Sequence, residues 1–252
     1  MSAIVVTGSS RGLGLELVKQ LSGRVRETGG LVIATAQRCS SALSEAIAQS
    51  NGSAVFVPLD VTDEEQVARS VKEVRSILNG RSLDILVNCA GVHGETHGKV
   101  ALMSGLEYHF SVNVVGAHNV LRQCIPLMQD SAVKKIINIS SGFGSITSAQ
   151  DYVHAPCPAY KISKAALNAL TVQYALSYRD EGFTVVAVNP GWIQSDMGGK
   201  NADLTLSQGA KAVLDIVAVV ETKDNGCFKN ICIPGWDGSD GRNVYDGKDL
   251  LW

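Results

Sequence analysis

The chain has 252 residues, 45% apolar, 18% charged and 6% aromatic, with 22 basic against 24 acidic side chains and a formal net charge of −2. That composition excludes a disordered chain, and the near-neutral balance argues against a nucleic-acid or anionic-membrane partner reached through bulk charge. No apolar run approaches the roughly 18–20 residues of a membrane-spanning helix, since the richest late stretch, Leu214 to Val220, is short and contains Asp215.

Taken in chain order, Ile4-Val5-Val6 reads as a buried strand, and Leu17, Val18, Leu21 and Val25 mark one face of the helix after it. Leu31 to Ala34 and Ala54 to Val57 predict the second and third strands. Thr62, with Glu65 three residues on, reads as a capping box that opens a helix with Val67, Val71, Val74 and Leu78 as its buried stripe. Asp84 to Val87 predicts a fourth strand, and a long helical pattern covers about Leu102 to Met128. Lys135 to Ile139 predicts a fifth strand, followed by a helix from about Ala159 to Tyr178. Strand Thr184 to Val188, a helix near Ser207 to Val219 and a last strand around Phe228 to Ile233 complete the pattern.

Strands that are almost wholly apolar are buried on both faces, as in a parallel sheet covered by helices. Seven of them alternating with about six helices imply one α/β domain over residues 1–252. Its expected form is a doubly wound, Rossmann-type fold with a seven-stranded parallel sheet and helices on both faces. The first six residues are too short for a secretory apolar core, so a cytoplasmic protein is expected. The six cysteines are scattered without a C-x-x-C pair and read as reduced structural thiols, with no metal site expected.

The first turn, Thr7-Gly8-Ser9-Ser10-Arg11-Gly12-Leu13-Gly14, links the first strand to the first helix. Glycines there permit a tight turn and let backbone approach a pyrophosphate, which the helix N-terminus attracts. The spacing is G-x-x-x-G-x-G rather than the commoner G-x-G-x-x-G. A carboxylate closing the second strand would hold a ribose 2′-hydroxyl, yet Thr35-Ala36-Gln37-Arg38 has no acid. Arg11 in the turn and Arg38 after that strand instead favour a 2′-phosphate, and therefore NADP(H).

Tyr160 and Lys164 stand at i, i+4 on the helix after strand five, which puts the phenol and the ammonium on one face. A nearby cation favours the phenolate, so Lys164 is expected to lower the Tyr160 pKa. The phenol would then pass a proton to a carbonyl oxygen as hydride reaches carbon, or take one in reverse. Ser140-Ser141 ends strand five at the carboxyl edge, where a hydroxyl would polarise the same carbonyl.

With these motifs in place the sequence resembles the short-chain dehydrogenase/reductase superfamily over essentially its whole length. The matching segments are Thr7 to Gly14, Asp60-Val61, Asn88-Cys89-Ala90-Gly91, Asn113, the serine pair, Tyr160 with Lys164, and Pro190-Gly191 with Ser195. The resemblance implies that Tyr160 is the acid/base, Lys164 its pKa-lowering and ribose-binding partner, and Ser141 the carbonyl-orienting hydroxyl, with Ser140 as the fallback. It implies that Asn113 holds a proton-relay water, and that Asp60 and Val61 flank adenine. Asn88, Ala90 and Gly91 would line the adenosine side, joining Gly8, Ser10, Arg11, Gly12, Leu13, Gly14 and Arg38. Pro190, Gly191, Ile193 and Ser195 would hold the nicotinamide end. The later segments, Asn189 to Gly199 and Leu250-Leu251-Trp252, resemble the C-factor/sniffer-type carbonyl reductases and related fungal ketoreductases.

Three departures accompany the resemblance. Cys89 replaces a usual second Asn, and Gln37 stands where Arg often ends strand two. Ser141 and Tyr160 lie further apart than is usual, through an insertion around Ala149 to Pro158 that holds Asp151, Tyr152, His154 and Cys157. That insertion either shapes specificity or lengthens a loop. Trp192 after Pro190-Gly191 reads as a pocket wall, with a core residue as the close alternative. His93-x-x-x-His97 with Glu95 lies between Gly94 and Gly98, which makes it a solvated or substrate-edge loop rather than a metal site. His109 and His118 on the long helix read as satisfied or solvated.

The expected activity is NADPH-dependent reduction of a ketone or aldehyde, in secondary metabolism for the fungal resemblance. The alternatives are dehydratase, isomerase or cyclase chemistry on the same fold without net redox, and non-catalytic NADP(H) binding. Expected partners are a small carbonyl or alcohol substrate and, by resemblance, further copies of the chain in a homodimer or homotetramer, with no nucleic acid and no membrane.

Overall fold

A computed structural model describes residues 2–236 and 243–252. Its first half contains β1 (Ala3–Val6), α1 (Gly12–Arg26), β2 (Leu31–Ala36), α2 (Ser41–Gln49), β3 (Ala54–Pro58), α3 (Glu64–Leu78) and β4 (Ile85–Asn88). Its second half contains α4 (Leu106–Phe110), α5 (Ala117–Met128), β5 (Lys135–Ile139), α6 (Pro158–Ser177), β6 (Thr184–Asn189), α7 (Leu206–Val219) and β7 (Phe228–Asn230). Among the described residues the strands form one seven-stranded sheet in the order β3-β2-β1-β4-β5-β6-β7, with every neighbouring pair parallel.

The apolar strands are buried on both faces because strand side chains alternate. Ile4 and Val6 pack with Leu17, Val18 and Leu21 of α1, Leu43 of α2 and Val213 and Leu214 of α7. Ala3 and Val5 pack on the opposite side with Val67 and Val71 of α3, Leu121 and Cys124 of α5 and Ala175 of α6. Val6, Leu17, Val18 and Leu121 are fully buried, and each such side chain contributes roughly 1.5–3 kcal/mol. These two layers fix the sheet rigidly. Because β1 lies between β2 and β4, strand order reverses at their carboxyl ends and opens the cleft where ligands of such sheets bind.

Several boundaries differ from the sequence reading. The cap of α3 is Asp63, whose carboxylate accepts from the Gln66 N–H at 2.9 Å, and not Thr62. The Thr62 hydroxyl is drawn instead to the Asp60 carboxylate, at 2.7 Å, a charged acceptor two residues back. Asp84 lies just before β4, where its carboxylate receives the Ala3 N–H at 2.8 Å. The long helix begins at Leu106, because Gly105 takes a left-handed φ of 71°. It is interrupted by a π-helical stretch, Ser111–Gly116, a local widening often found at functional sites. β7 is shorter than expected: beyond Asn230 the chain bridges antiparallel to its returning end through Cys232 and Asp246, and within the strand Lys229 bridges to Asp249. The sequence reading marked no helix at α2, which buries only Leu43 and Ala46 and so carries little periodic signal. All six cysteines are free thiols. No helix among the described residues is long and apolar enough to cross a membrane.

Candidate active site

The glycine turn is held against the strand ends by backbone. The Ser9 N–H donates to the Thr35 carbonyl at 2.9 Å, and the Thr7 hydroxyl accepts from the N–H groups of Cys89 and Ala90 at 3.0 and 3.1 Å. A Cβ on Gly8 would lie 2.7 Å from the Ala90 Cα, and one on Gly14 only 2.4 Å from the Gly8 carbonyl oxygen. Gly12 has φ 55° and faces open space, so its conformation, not crowding, calls for glycine. Arg11 occupies the N-cap of α1, with no side-chain cap and no acid in the first turn. Its helix-end N–H groups are therefore left to an anion. Leu13 packs on the core beneath, and the Ser10 carbonyl accepts from the Ser40 hydroxyl at 2.6 Å.

The side of the cleft where the sequence expects adenosine is polar and partly preassembled. Gln37 donates to the Asp60 carboxylate at 2.8 Å, while Arg38 beside it is exposed. Val61 is buried, and its carbonyl accepts from Asn119 at 3.1 Å. Arg11 spans the mouth of the cleft to reach Asp196 at 3.6 Å. Asn88 donates to Asn138 at 2.8 Å, and Asn138 in turn to Thr171 at 2.9 Å. The Asn88 Oδ1 is buried without a hydrogen-bond partner. An orphaned acceptor beside an open glycine turn fits a polar ligand such as a dinucleotide. Cys89, in the position of the usual Asn, has its thiol pushed up to about 12 by burial, with Lys164 pulling the other way. It remains a neutral thiol.

Tyr160, Lys164, Ser141 and Asn113 converge at the carboxyl ends of β4 and β5. Tyr160 and Lys164 rise from the first turns of α6 and are both buried. The Lys164 Nζ donates to the Ile139 carbonyl at 2.7 Å and stands 5.6 Å over the Tyr160 ring centroid. The structure reverses the expected titration. Burial pushes the Tyr160 phenol up to about 12, offset in part by the Ser141 side chain, and burial brings Lys164 down to about 8. Desolvation dominates both groups because neither charge is favoured away from water. Ser140 turns away and donates to the Asn168 amide oxygen at 2.5 Å, which leaves Ser141 as the hydroxyl beside the phenol. Asn113, in the π-helical stretch, accepts from the Val92 N–H at 2.8 Å and donates to the Val92 carbonyl at 3.0 Å and to Ser163 at 2.9 Å. Gly91 lies between them: a Cβ there would sit 3.3 Å from the Asn113 Oδ1 and 3.7 Å from the Lys164 Nζ.

The opposite wall follows β6. Gly191 takes φ 78°, and a Cβ there would lie 2.8 Å from Ile231. After Pro190, the Trp192 N–H donates to the Tyr245 hydroxyl at 3.0 Å, and that hydroxyl donates to Asp203 at 2.6 Å. Tyr245 anchors this wall from far along the chain, and no sequence spacing announced it. Ile193 is buried, and Ser195 accepts from the Gly198 N–H at 3.1 Å. Trp192 is 45% exposed, with its indole N–H on the Gly198 carbonyl, which makes it a wall of the mouth rather than core.

The insertion packs onto the same site. Tyr152 lies 4.8 Å, centroid to centroid, from Phe143, which follows Ser141 and is itself 6.4 Å from Tyr160. The Tyr152 carbonyl accepts from the Lys161 ammonium at 2.5 Å, and the Thr96 N–H donates to the Pro156 carbonyl at 2.7 Å. His93 meets the Tyr160 ring edge-on at 4.9 Å. His97 lies 3.5 Å from Glu95, both on the outside of the loop. No three potential metal ligands gather among the described residues. His118 pairs with the Tyr174 hydroxyl at 2.8 Å.

Comparison with known proteins matches residues 2–204 to the family model described as short chain dehydrogenase. An uncharacterized oxidoreductase of Saccharomyces cerevisiae is 32% identical over 256 aligned positions, covering 94% of this chain and 95% of that protein. Among solved structures, an NADPH-bound carbonyl reductase from chicken fatty liver superposes with a TM-score of 0.85 at 26% identity, covering 100% of this chain and 94% of the other. The carbonyl reductase Sniffer of Drosophila melanogaster also superposes at 0.85, with 25% identity and complete coverage of both chains.

Proposed function

The chain belongs to the short-chain dehydrogenase family, and from that premise we propose that it is an NADPH-dependent carbonyl reductase with Tyr160 as its proton donor. The observation that carries the reading is a buried, neutral Tyr160 phenol with the Lys164 ammonium above its ring, beside Ser141 at the carboxyl ends of β4 and β5. The cofactor is NADP(H), in line with the NADPH held by the chicken reductase. The residues that would hold it are Gly8, Ser10, Gly12, Leu13 and Gly14 at the pyrophosphate turn, and Arg11 and Arg38 at the 2′-phosphate. Asp60, Val61, Asn88, Ala90 and Gly91 would line the adenosine side, with Pro190, Gly191, Ile193 and Ser195 at the nicotinamide end. When bound, it supplies hydride to the substrate's carbonyl carbon.

The rest of the chemistry belongs to the chain. Ser141 orients the carbonyl oxygen towards the phenol, and Tyr160 gives that oxygen its proton. A phenol that stays protonated up to about pH 12 is in the form that donates. Lys164, fixed by the Ile139 carbonyl, offsets the negative charge that develops on the phenol oxygen as the proton leaves. Asn113 fixes the Val92 backbone, which floors the substrate side. Phe143, Tyr152 and Trp192 make that side aromatic, which suits a ketone or aldehyde of low polarity. Steady-state consumption of NADPH with a panel of ketones and aldehydes tests the reading. Turnover that depends on a carbonyl and matches alcohol formed is expected, and product formed without cofactor consumption would replace it with non-redox chemistry.

A pH dependence follows from the same groups. The Lys164 ammonium is present below about pH 8 and lost above it, whereas Tyr160 keeps its proton to about 12. Carbonyl kcat/KM should therefore be flat on the acid side and fall as pH rises through about 8. Lys164→Arg, which cannot lose its charge in this range, should remove that fall even where its absolute rate is lower. A profile unchanged by Lys164→Arg would assign the limb to another group.

A further inference from the structure

His93 stands in a stretch without regular secondary structure, yet its neighbours on both sides are fixed. On one side Val92 is held through both its backbone groups by Asn113, at 2.8 and 3.0 Å. On the other, Gly94 lies flush on His109, where a Cβ would come within 3.1 Å of the Cε1 carbon, and Thr96 is tied to Pro156 of the insertion at 2.7 Å. His109 is itself buried, with Nδ1 on the Gly105 carbonyl at 2.8 Å. A loop serving only as a connection has no need of these anchors. Their combined effect is to hold one half-buried imidazole edge-on to the ring of the proton donor, centroids 4.9 Å apart and planes at 67°.

Among the described residues neither ring nitrogen of His93 has a hydrogen-bond partner. The groups that face it are Glu95 on its own loop, His109 from α4 and Tyr160 from α6. Burial, and to a lesser degree His109, hold its pKa below the ordinary histidine value, against an opposing pull from Glu95. A neutral imidazole offers one donor and one acceptor and no charge. A hydroxyl carries the same pair of functions in complement, whereas a carboxylate would find no countercharge on this ring.

We propose that His93 is a specificity-determining residue that hydrogen-bonds a hydroxyl on the carbon next to the reacting carbonyl, so that the preferred substrates are α-hydroxy ketones. The geometry behind it is simple. A carbonyl oxygen that takes its proton from Tyr160 brings its adjacent carbons beside that ring, and of the two aromatic rings that pack on it, His93 and Phe143, His93 is the one able to hydrogen-bond. The inference rests on the reductase reading above for the identity of the reacting group.

The test compares 2-hydroxyacetophenone with acetophenone, which differ only in that hydroxyl, in wild type, His93→Phe and His93→Gln. Both kcat/KM with NADPH and equilibrium dissociation constants on the NADP⁺ complex are measured. His93→Phe keeps a ring against Tyr160 but removes the hydrogen bond. It should lower the kcat/KM ratio of hydroxylated over parent ketone by about tenfold, the scale of one hydrogen bond. His93→Gln, which keeps a donor and an acceptor, should recover part of it. The ratio of dissociation constants should move with it, and each ratio is internal to one protein, so partial loss of folded material cancels. The same ratio in wild type and His93→Phe would overturn the proposal, as would failure of both ketones to bind wild type. Binding with the expected preference but no turnover would instead count against the reductase reading and leave the role of His93 supported.

Discussion

Tyr160→Phe should lower kcat for carbonyl reduction by about 10²–10⁴-fold, the range that a positioned proton donor contributes, while NADPH affinity stays within a few-fold of wild type. The ring is retained, so its packing with His93, Phe143 and the Lys164 ammonium persists. Only the hydroxyl proposed as the proton donor is lost. Steady-state kinetics with a reducible ketone, paired with fluorescence titration of NADPH, separates the two effects. A variant with full turnover would remove Tyr160 from its assigned role, and one that no longer binds cofactor would show that the hydroxyl serves binding before chemistry.

The second large effect is expected on the cofactor side. Arg11→Ala combined with Arg38→Ala should raise the dissociation constant for NADPH by about 10²-fold and leave that for NADH nearly unchanged. A hydrogen bond to a charged group contributes about 1.5–3 kcal/mol. Both side chains are exposed, Arg11 at 78%, so the lower end, about tenfold each, is the appropriate scale. The existing Arg11 contact with Asp196 is long, at 3.6 Å, and Asp196 is 84% exposed. Such a pair is worth about 0–1 kcal/mol and yields readily to a phosphate. Asp196→Asn should accordingly change NADPH affinity little. Equal losses for NADPH and NADH in the double variant would mean that the arginines do not read the 2′-phosphate.

What the sequence made legible and what it hid divide along physical lines. The glycine turn could be read because its constraints are local: Gly8, Gly12 and Gly14 answer to backbone sterics within one β-α unit. Tyr160 and Lys164 could be read because helical spacing alone puts them on one face. The seven parallel strands could be read from apolar runs of the right length alternating with helices, whereas their order across the sheet is set by tertiary pairing and shows only in the structure. Titration could not be read in this way. Spacing places a cation near a phenol, but burial decides which way each pKa moves, and burial of Tyr160 and Lys164 depends on Ile139, Gly91 and Gly144 closing around them.

Contacts made from a distance were likewise hidden. Tyr245 reaches the Trp192 backbone across 53 positions, and the insertion reaches the Thr96 loop through a single backbone hydrogen bond. The choice of Asp63 over Thr62 as a cap depended on Asp60 claiming the threonine hydroxyl. The insertion before Tyr160, open to two readings in the sequence, packs Tyr152 on Phe143 beside the site and ties Pro156 to the Thr96 loop.

The most direct test of the central claim is a turnover with NADPH deuterated at both C4 positions of the nicotinamide ring and a ketone that the wild-type protein reduces, with the alcohol analysed for label. One deuterium on the carbinol carbon is expected for each NADPH oxidised, with the hydroxyl proton drawn from solvent by way of Tyr160. Product formed with NADPH unconsumed, or a carbinol carbon without deuterium, would contradict it.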